Sequence, residues 1–145
     1  MKLDFVGAEP DAAPVGAASL RTTVNYFTGP YELRQGPLAT YGSIVYPNVW
    51  PGIDLVYSGT SQQLKYQFLV APGADPNRIR LRYRGVSGVS VDDDGQLAVS
   101  TPSGGFHDAR PVAYQLEGAE RAPVSAAYVV DVFDPERAGG GFTYG

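Results

Sequence analysis

Charged side chains fall in three places where their type and spacing could do chemistry. Asp92-Asp93-Asp94-Gly95 lines up three carboxylates before a glycine. A hard cation such as Ca2+ wants several oxygen ligands. The spacing is not that of an EF-hand loop, which needs a further ligand and a Glu at fixed positions. Asp-Gly also supplies the positive φ of a tight hairpin turn, and a turn explains the same letters. Asp92, Asp93 and Asp94 are the residues offered as a metal site. Ca2+ is the one ion considered, and the chain is expected to carry no cofactor.

The second place is Arg78, Arg80, Arg82 and Arg84, of which the last three share one face of a strand. Guanidinium forks suit carboxylate, sulfate or phosphate. Arg80, Arg82 and Arg84, with Lys65 as a further cation, are therefore candidates for holding an anionic glycan. The plainer reading is a solvated face, cross-paired with acidic residues on the next strand.

The third is the scatter of groups that a hydrolase would use. His107 is the sole histidine. Ser103 and Asp108 lie near it in sequence, but adjacency does not make a triad. There is no G-x-S-x-G elbow. Paired carboxylates of the glycoside hydrolase type could be drawn from Asp54, Asp75, Asp108, Asp131 and Asp134. Asp54 stands out because it sits in an apolar run, where a buried carboxylate needs a partner. Its plainer role is to bond a neighbouring backbone N–H or to face water. Lys65 and Asp54 could also imitate a Lys–Asn cross-link built around a carboxylate, but Lys65 has outward parity. No catalytic residue is assigned, and the chain is read as a non-enzyme.

These residues must be positioned by strands. Lys2–Val6 reads as a short strand, and Glu9–Ser19 (EPDAAPVGAAS) as an exposed loop. Thr22–Phe27 is β-branched and aromatic. Thr40–Tyr46 is a strand ended by Pro47, and Ile53–Ser58 follows. In Gln63–Val70, Leu64, Tyr66, Phe68 and Val70 point one way; Gln63, Lys65 and Gln67 point the other, with Leu69 the exception. Asp75–Arg78 has room for one helical turn. Ile79, Leu81 and Tyr83 alternate with the three arginines. Val89–Val99 is a hairpin. Arg110–Gln115, Pro123–Val132 and Phe142–Tyr144 are further strands. Tyr46, Tyr57, Tyr66 and Tyr83 take inward parity, and Trp50 is expected to plug one end of the core.

About nine turn-bounded strands imply an all-β fold, an antiparallel β-sandwich or open barrel with little helix. The chain has 145 residues, 43% of them hydrophobic. That fits one domain, 1–145, with a real core. A net charge of -4 argues against binding nucleic acid. Cysteine is absent, which excludes disulfides and thiolate chemistry. No apolar run approaches the roughly 18 residues of a membrane span. MKLDFVGAEP lacks the apolar segment of a signal peptide.

The pieces LDFVGAEP (3–10), VNYFTG (24–29), TYGSIVYPNVWPGIDLVYSG (40–59), LKYQFLVAPGADPNRIRLRYRG (64–85), DGQLAVSTPSG (94–104) and RPVAYQ (110–115) carry a resemblance. They resemble an uncharacterised β-rich domain found upstream of seven-bladed β-propeller-type (SBBP) repeats in large secreted bacterial proteins. The chain looks like the middle of that domain, with Leu33 near a position where the family usually carries Trp. The resemblance implies a fragment of a longer domain and an extracellular or cell-surface setting. It implies a structural or adhesive role and, as partners, adjacent repeat domains or a surface glycan or protein. It brings no catalytic residues. Missing flanking strands would leave an open sheet edge, so strand-mediated homo-oligomers are also expected.

Overall fold

The computed structural model describes residues 1–24, 38–59, 63–132 and 141–144. The described chain is all-β and antiparallel, with a single 3-10 turn at Pro76–Arg78. It groups into two compact units: Ala8–Pro76, and Met1–Gly7 together with Asn77–Gly145.

The unit 8–76 is one four-stranded sheet. In chain order its strands are β2 (Val15–Val24), β3 (Leu38–Trp50), β4 (Ile53–Gly59) and β5 (Leu64–Val70), which also lie side by side in that order. The β3–β4 turn is Pro51-Gly52, with Gly52 at φ 74°. Proline at the first central position and a positive-φ glycine at the second make a type II turn. Val49, Trp50, Ile53, Leu55 and Val56 are buried around it, Trp50 at 2% exposure. One face of the sheet carries a row of rings. Tyr46 meets Tyr57 at 6.1 Å, Tyr57 meets Tyr66 at 6.3 Å, and Tyr66 meets Phe68 at 5.9 Å. Phe68 then meets Trp50 at 5.8 Å. Tilted and edge-on pairs of this kind add to the stabilisation from burial alone.

The other unit contains β1 (Lys2–Phe5), β6 (Leu81–Arg84), β7 (Gly88–Val91), β8 (Leu97–Thr101) and β9 (Gly104–Asp108). It also holds β10 (Ala113–Glu117), β11 (Glu120–Val124), β12 (Val130–Val132) and β13 (Gly141–Tyr144). One sheet runs β1-β6-β13-β12 and a second β7-β8-β9, while β10 and β11 form a separate hairpin. Leu81 and Tyr83 of the first sheet are buried, as are Val89, Leu97 and Val99 of the second. The Tyr83 ring on β6 meets Phe106 on β9 edge-on at 5.9 Å. The two inner faces thus share a core in sandwich fashion.

Among the described residues there are thirteen strands where about nine were expected; β9 (Gly104–Asp108) was not read from the sequence. Glu9–Ser19 is not all loop: Val15–Ser19 is the first half of β2, paired with Tyr41–Val45. Its small residues carry no period, but the Tyr41 ring covers Gly16 so closely that a Cβ there would lie 2.6 Å from it. An aromatic ring laid over a strand glycine supplies the packing the glycine lacks. Pro47 does not end β3 either. The strand continues to Trp50 through a register shift between Tyr46 and Trp50, with Asn48 at φ 50°. Irregularities of this kind are where a sheet tolerates proline. Pro123–Val132 is divided between β11 and β12. In β5, Tyr66 and Phe68 are half-buried as their parity requires, but Leu64 at the strand end is 74% exposed. The Asn25–Phe27 part of the expected strand at 22–27, and Leu33, lie outside the described residues.

Candidate functional site

The arginine strand gathers charges from its neighbours on one sheet face. β1 pairs with β6 so that Lys2 faces Arg84 and Asp4 faces Arg82. On the other side β13 places Thr143 beside Arg82, and β12 places Asp131 beside Thr143. Four strands thus put Lys2, Asp4, Arg82, Arg84 and Asp131 on one sheet face, because cross-strand partners point the same way. Arg80 follows just before β6 and donates from Nη2 to Asp131 Oδ2 at 2.7 Å. Arg84 Nε stands 2.6 Å from Asp4 Oδ2, and Lys2 Nζ 2.8 Å from Asp4 Oδ1. The Lys2 hydrogen bond holds the Asp4 carboxyl below its ordinary range; partial burial opposes this, and the charges of Arg84 and Lys2 add to it. The arginines are cross-paired with acids on neighbouring strands, as the plainer reading had it. Lys65 is exposed on β5, opposite Ser58, in the other unit.

Asp54 sits on β4 with its neighbours Ile53 and Leu55 buried. Its Oδ1 accepts the Asn48 N–H at 2.7 Å, and Asn48 Oδ1 accepts the Gly52 N–H at 3.4 Å. The carboxylate therefore ties the left-handed Asn48 to the strand that follows. Asn48, Gly52, Asp54, Leu69, Val70 and Ala71 line an open depression of about 320 Å³. Lys65 and Asp54 share a face but not a position, since Asp54 pairs with Leu69 and Lys65 with Ser58. Four residues of strand, about 13 Å, separate them.

The sequence profile of a family described as "Domain of unknown function (DUF7948)" matches residues 1–143. The chain belongs to this family. No curated protein and no solved structure matches it.

The remaining candidates of this DUF7948 chain are placed as follows. Asp92 closes the β7–β8 loop. Its Oδ1 accepts the N–H groups of Asp94 at 3.0 Å and Gln96 at 2.9 Å, and its carbonyl accepts Gly95 N–H at 3.0 Å. Gly95 takes φ 77°. An Asx-bonded turn with a left-handed glycine accounts for these residues as a hairpin device. Asp93 and Asp94 are exposed beside it. Among the described residues no three His, Cys, Asp or Glu side chains converge as metal ligands would.

His107 lies on β9 opposite Ala98 and is exposed. Ser103 is in the β8–β9 turn, where its N–H donates to Thr101 Oγ1 at 3.3 Å. Asp108 follows His107 along the strand and so points to the opposite face. Ser103, His107 and Asp108 do not come together. Asp75 is exposed, Asp131 is held by Arg80, and Asp134 lies outside the described residues.

The sequence reading missed Asp4 as the central acid of the arginine face. The signal was its outward parity between Leu3 and Phe5. It also missed the β10–β11 hairpin, in which the Arg121 guanidinium lies 4.6 Å over the Tyr114 ring. The signal there was Gly118-Ala119 between two strand-like runs, with Gly118 at φ 66°. Among the described residues no helix is long and apolar enough to cross a membrane.

Proposed function

We propose that this chain is a non-catalytic structural or adhesive module of a secreted or cell-surface bacterial protein, accessory to a β-propeller-type repeat region. One observation supports this best: the groups that could do chemistry are used to tie backbone and strands. Asp54 holds the Asn48 N–H, Asp92 holds two turn N–H groups, and Asp4 and Asp131 hold Arg84 and Arg80. A carboxylate committed in this way gives up part of its freedom to move protons or bind substrate. Its partners are then surfaces rather than substrates: the adjacent repeat domains of the parent protein. The test is a turnover screen against glycan and ester substrates, run beside a binding assay with a recombinant repeat segment. Binding without turnover is the expected result. Turnover that disappears on a point substitution overturns the reading.

A second reading has an observation of its own. On the β6 sheet face four cations, Lys2, Arg80, Arg82 and Arg84, meet two carboxylates, Asp4 and Asp131. This residual positive charge favours an anionic glycan. Glycan-array binding that falls with Arg80→Ala and Arg82→Ala would support it.

A further inference from the structure

The edges of the 8–76 sheet are not alike. At β2, Ala18 takes φ 53° and the register shifts between Ser19 and Thr23. Such an irregular edge discourages further pairing. Among the described strands β5 ends the other side. It runs seven residues in unbroken register with β4, and contains no proline, no positive φ and one charge, Lys65. The Ala71 N–H donates to Gly52 O at 2.9 Å, extending the β4–β5 register by one pair. Hydrogen-bonded pairs alternate along an antiparallel ladder. Leu69, Gln67 and Lys65 are then bonded to β4, while Leu64, Phe68 and Val70 turn their N–H and C=O groups away from it.

We infer that β5 is a self-association edge and that its occupant is the β5 strand of a second copy of this chain. The strand is self-complementary about Gln67. Antiparallel pairing there sets Leu64 against Val70 of the second copy and Phe68 against Tyr66. Lys65 falls opposite Leu69, and Gln67 meets its own equivalent on the two-fold axis. Leu64 and Val70 make an apolar pair, Phe68 and Tyr66 an aromatic one, and no two charges of like sign are opposed, as favourable cross-strand pairs require. An eight-stranded sheet results, with a closed isologous contact. One strand pair covers less surface than the roughly 800 Å² per partner of a tight interface, so the dimer is concentration-dependent.

The test uses the full chain. Cysteine is absent, so an introduced thiol is the sole one. Gln67→Cys puts two thiols at a non-hydrogen-bonded pair, with Cα atoms about 4.5 Å apart, a span that a disulfide bridges. Lys65→Cys separates them by about 13 Å. Sedimentation should show mass rising with concentration, and oxidation should cross-link Gln67→Cys well ahead of Lys65→Cys. Gln67→Lys opposes two ammonium groups on an exposed face and should weaken association about fivefold. A monomeric mass at all concentrations, equal cross-linking of the two cysteine variants, or an unchanged Gln67→Lys overturns the inference. So does a chain that stays monomeric yet binds an unrelated extended apolar peptide. A monomer leaves the module reading standing, and turnover that removes that reading leaves the dimer standing.

Discussion

Asp4 shows how one residue organises a face. It accepts from Lys2 on its own strand and pairs with Arg84 on β6. The Asp4 Oδ2 and Arg84 Nε atoms are both buried, so each would be costly to leave alone. Because the folded carboxyl titrates below its ordinary range, the linkage has a definite sign. The unfolded chain binds the proton more readily, so the stabilisation is fully present above the ordinary aspartate range. It is lost as pH falls through the folded value. Asp4→Asn should remove this acid-side dependence and lower stability at neutral pH. Denaturant midpoints measured between neutral pH and about pH 2, a window set by the ordinary aspartate pKa, are expected to converge for the two proteins at the acid end. Midpoints that stay equally far apart at every pH would show that the loss is one of packing rather than charge.

At the scale of elements, the β3–β4 turn depends on one glycine. Gly52 holds φ 74°, and a Cβ placed there would lie 2.9 Å from the Ala74 Cβ. Gly73 also has positive φ, at 83°, but nothing lies within 4 Å of its would-be Cβ. The left-handed conformation alone costs a non-glycine residue about 1–3 kcal/mol. Gly73→Ala should show that cost, and Gly52→Ala that cost plus a clash, read as a larger fall in melting temperature. Equal falls would mean that Ala74 gives way freely. The β7–β8 hairpin was legible because its signal is local: Asp94-Gly95 between two apolar runs has few other uses. The Leu81–Arg84 alternation was equally plain, since burying Leu81 and Tyr83 sends the arginines to the other face. β2 was not legible. Gly16-Ala17-Ala18-Ser19 becomes a strand through β3 and the Tyr41 ring, which are non-local. The acid partners were hidden for the same reason: Asp131 is 51 residues from Arg80 and reaches it only through strand order. Asp54 was singled out correctly as unusual, but the Asn48 N–H it serves belongs to an irregularity that proline seemed to forbid.

At the scale of the whole molecule, the chain leaves one unit and returns to it. β1 precedes the 8–76 sheet in sequence yet pairs with β6, which follows that sheet. The first seven residues are therefore a structural strand of the other unit. Leu3 and Phe5 stand opposite Tyr83 and Leu81, and Val6 N–H donates to Arg80 O at 2.8 Å. Deleting residues 1–7 removes this strand and the Asp4 partner of Arg84. It also exposes apolar surface on Leu81 and Tyr83, which are 3% and 4% exposed with β1 in place. Each apolar side chain so exposed forfeits a share of the roughly 1.5–3 kcal/mol that full burial contributes, and β6 becomes a new open edge. Trp50, the sole tryptophan, reports on the 8–76 unit, while the tyrosine and far-ultraviolet dichroism signals also follow the other. The truncated chain is expected to melt earlier by dichroism, with the midpoint of Trp50 fluorescence moving less. An unchanged dichroism midpoint would mean that the β1–β6 ladder adds little to stability. Equal shifts of both signals would mean that the two units unfold as one.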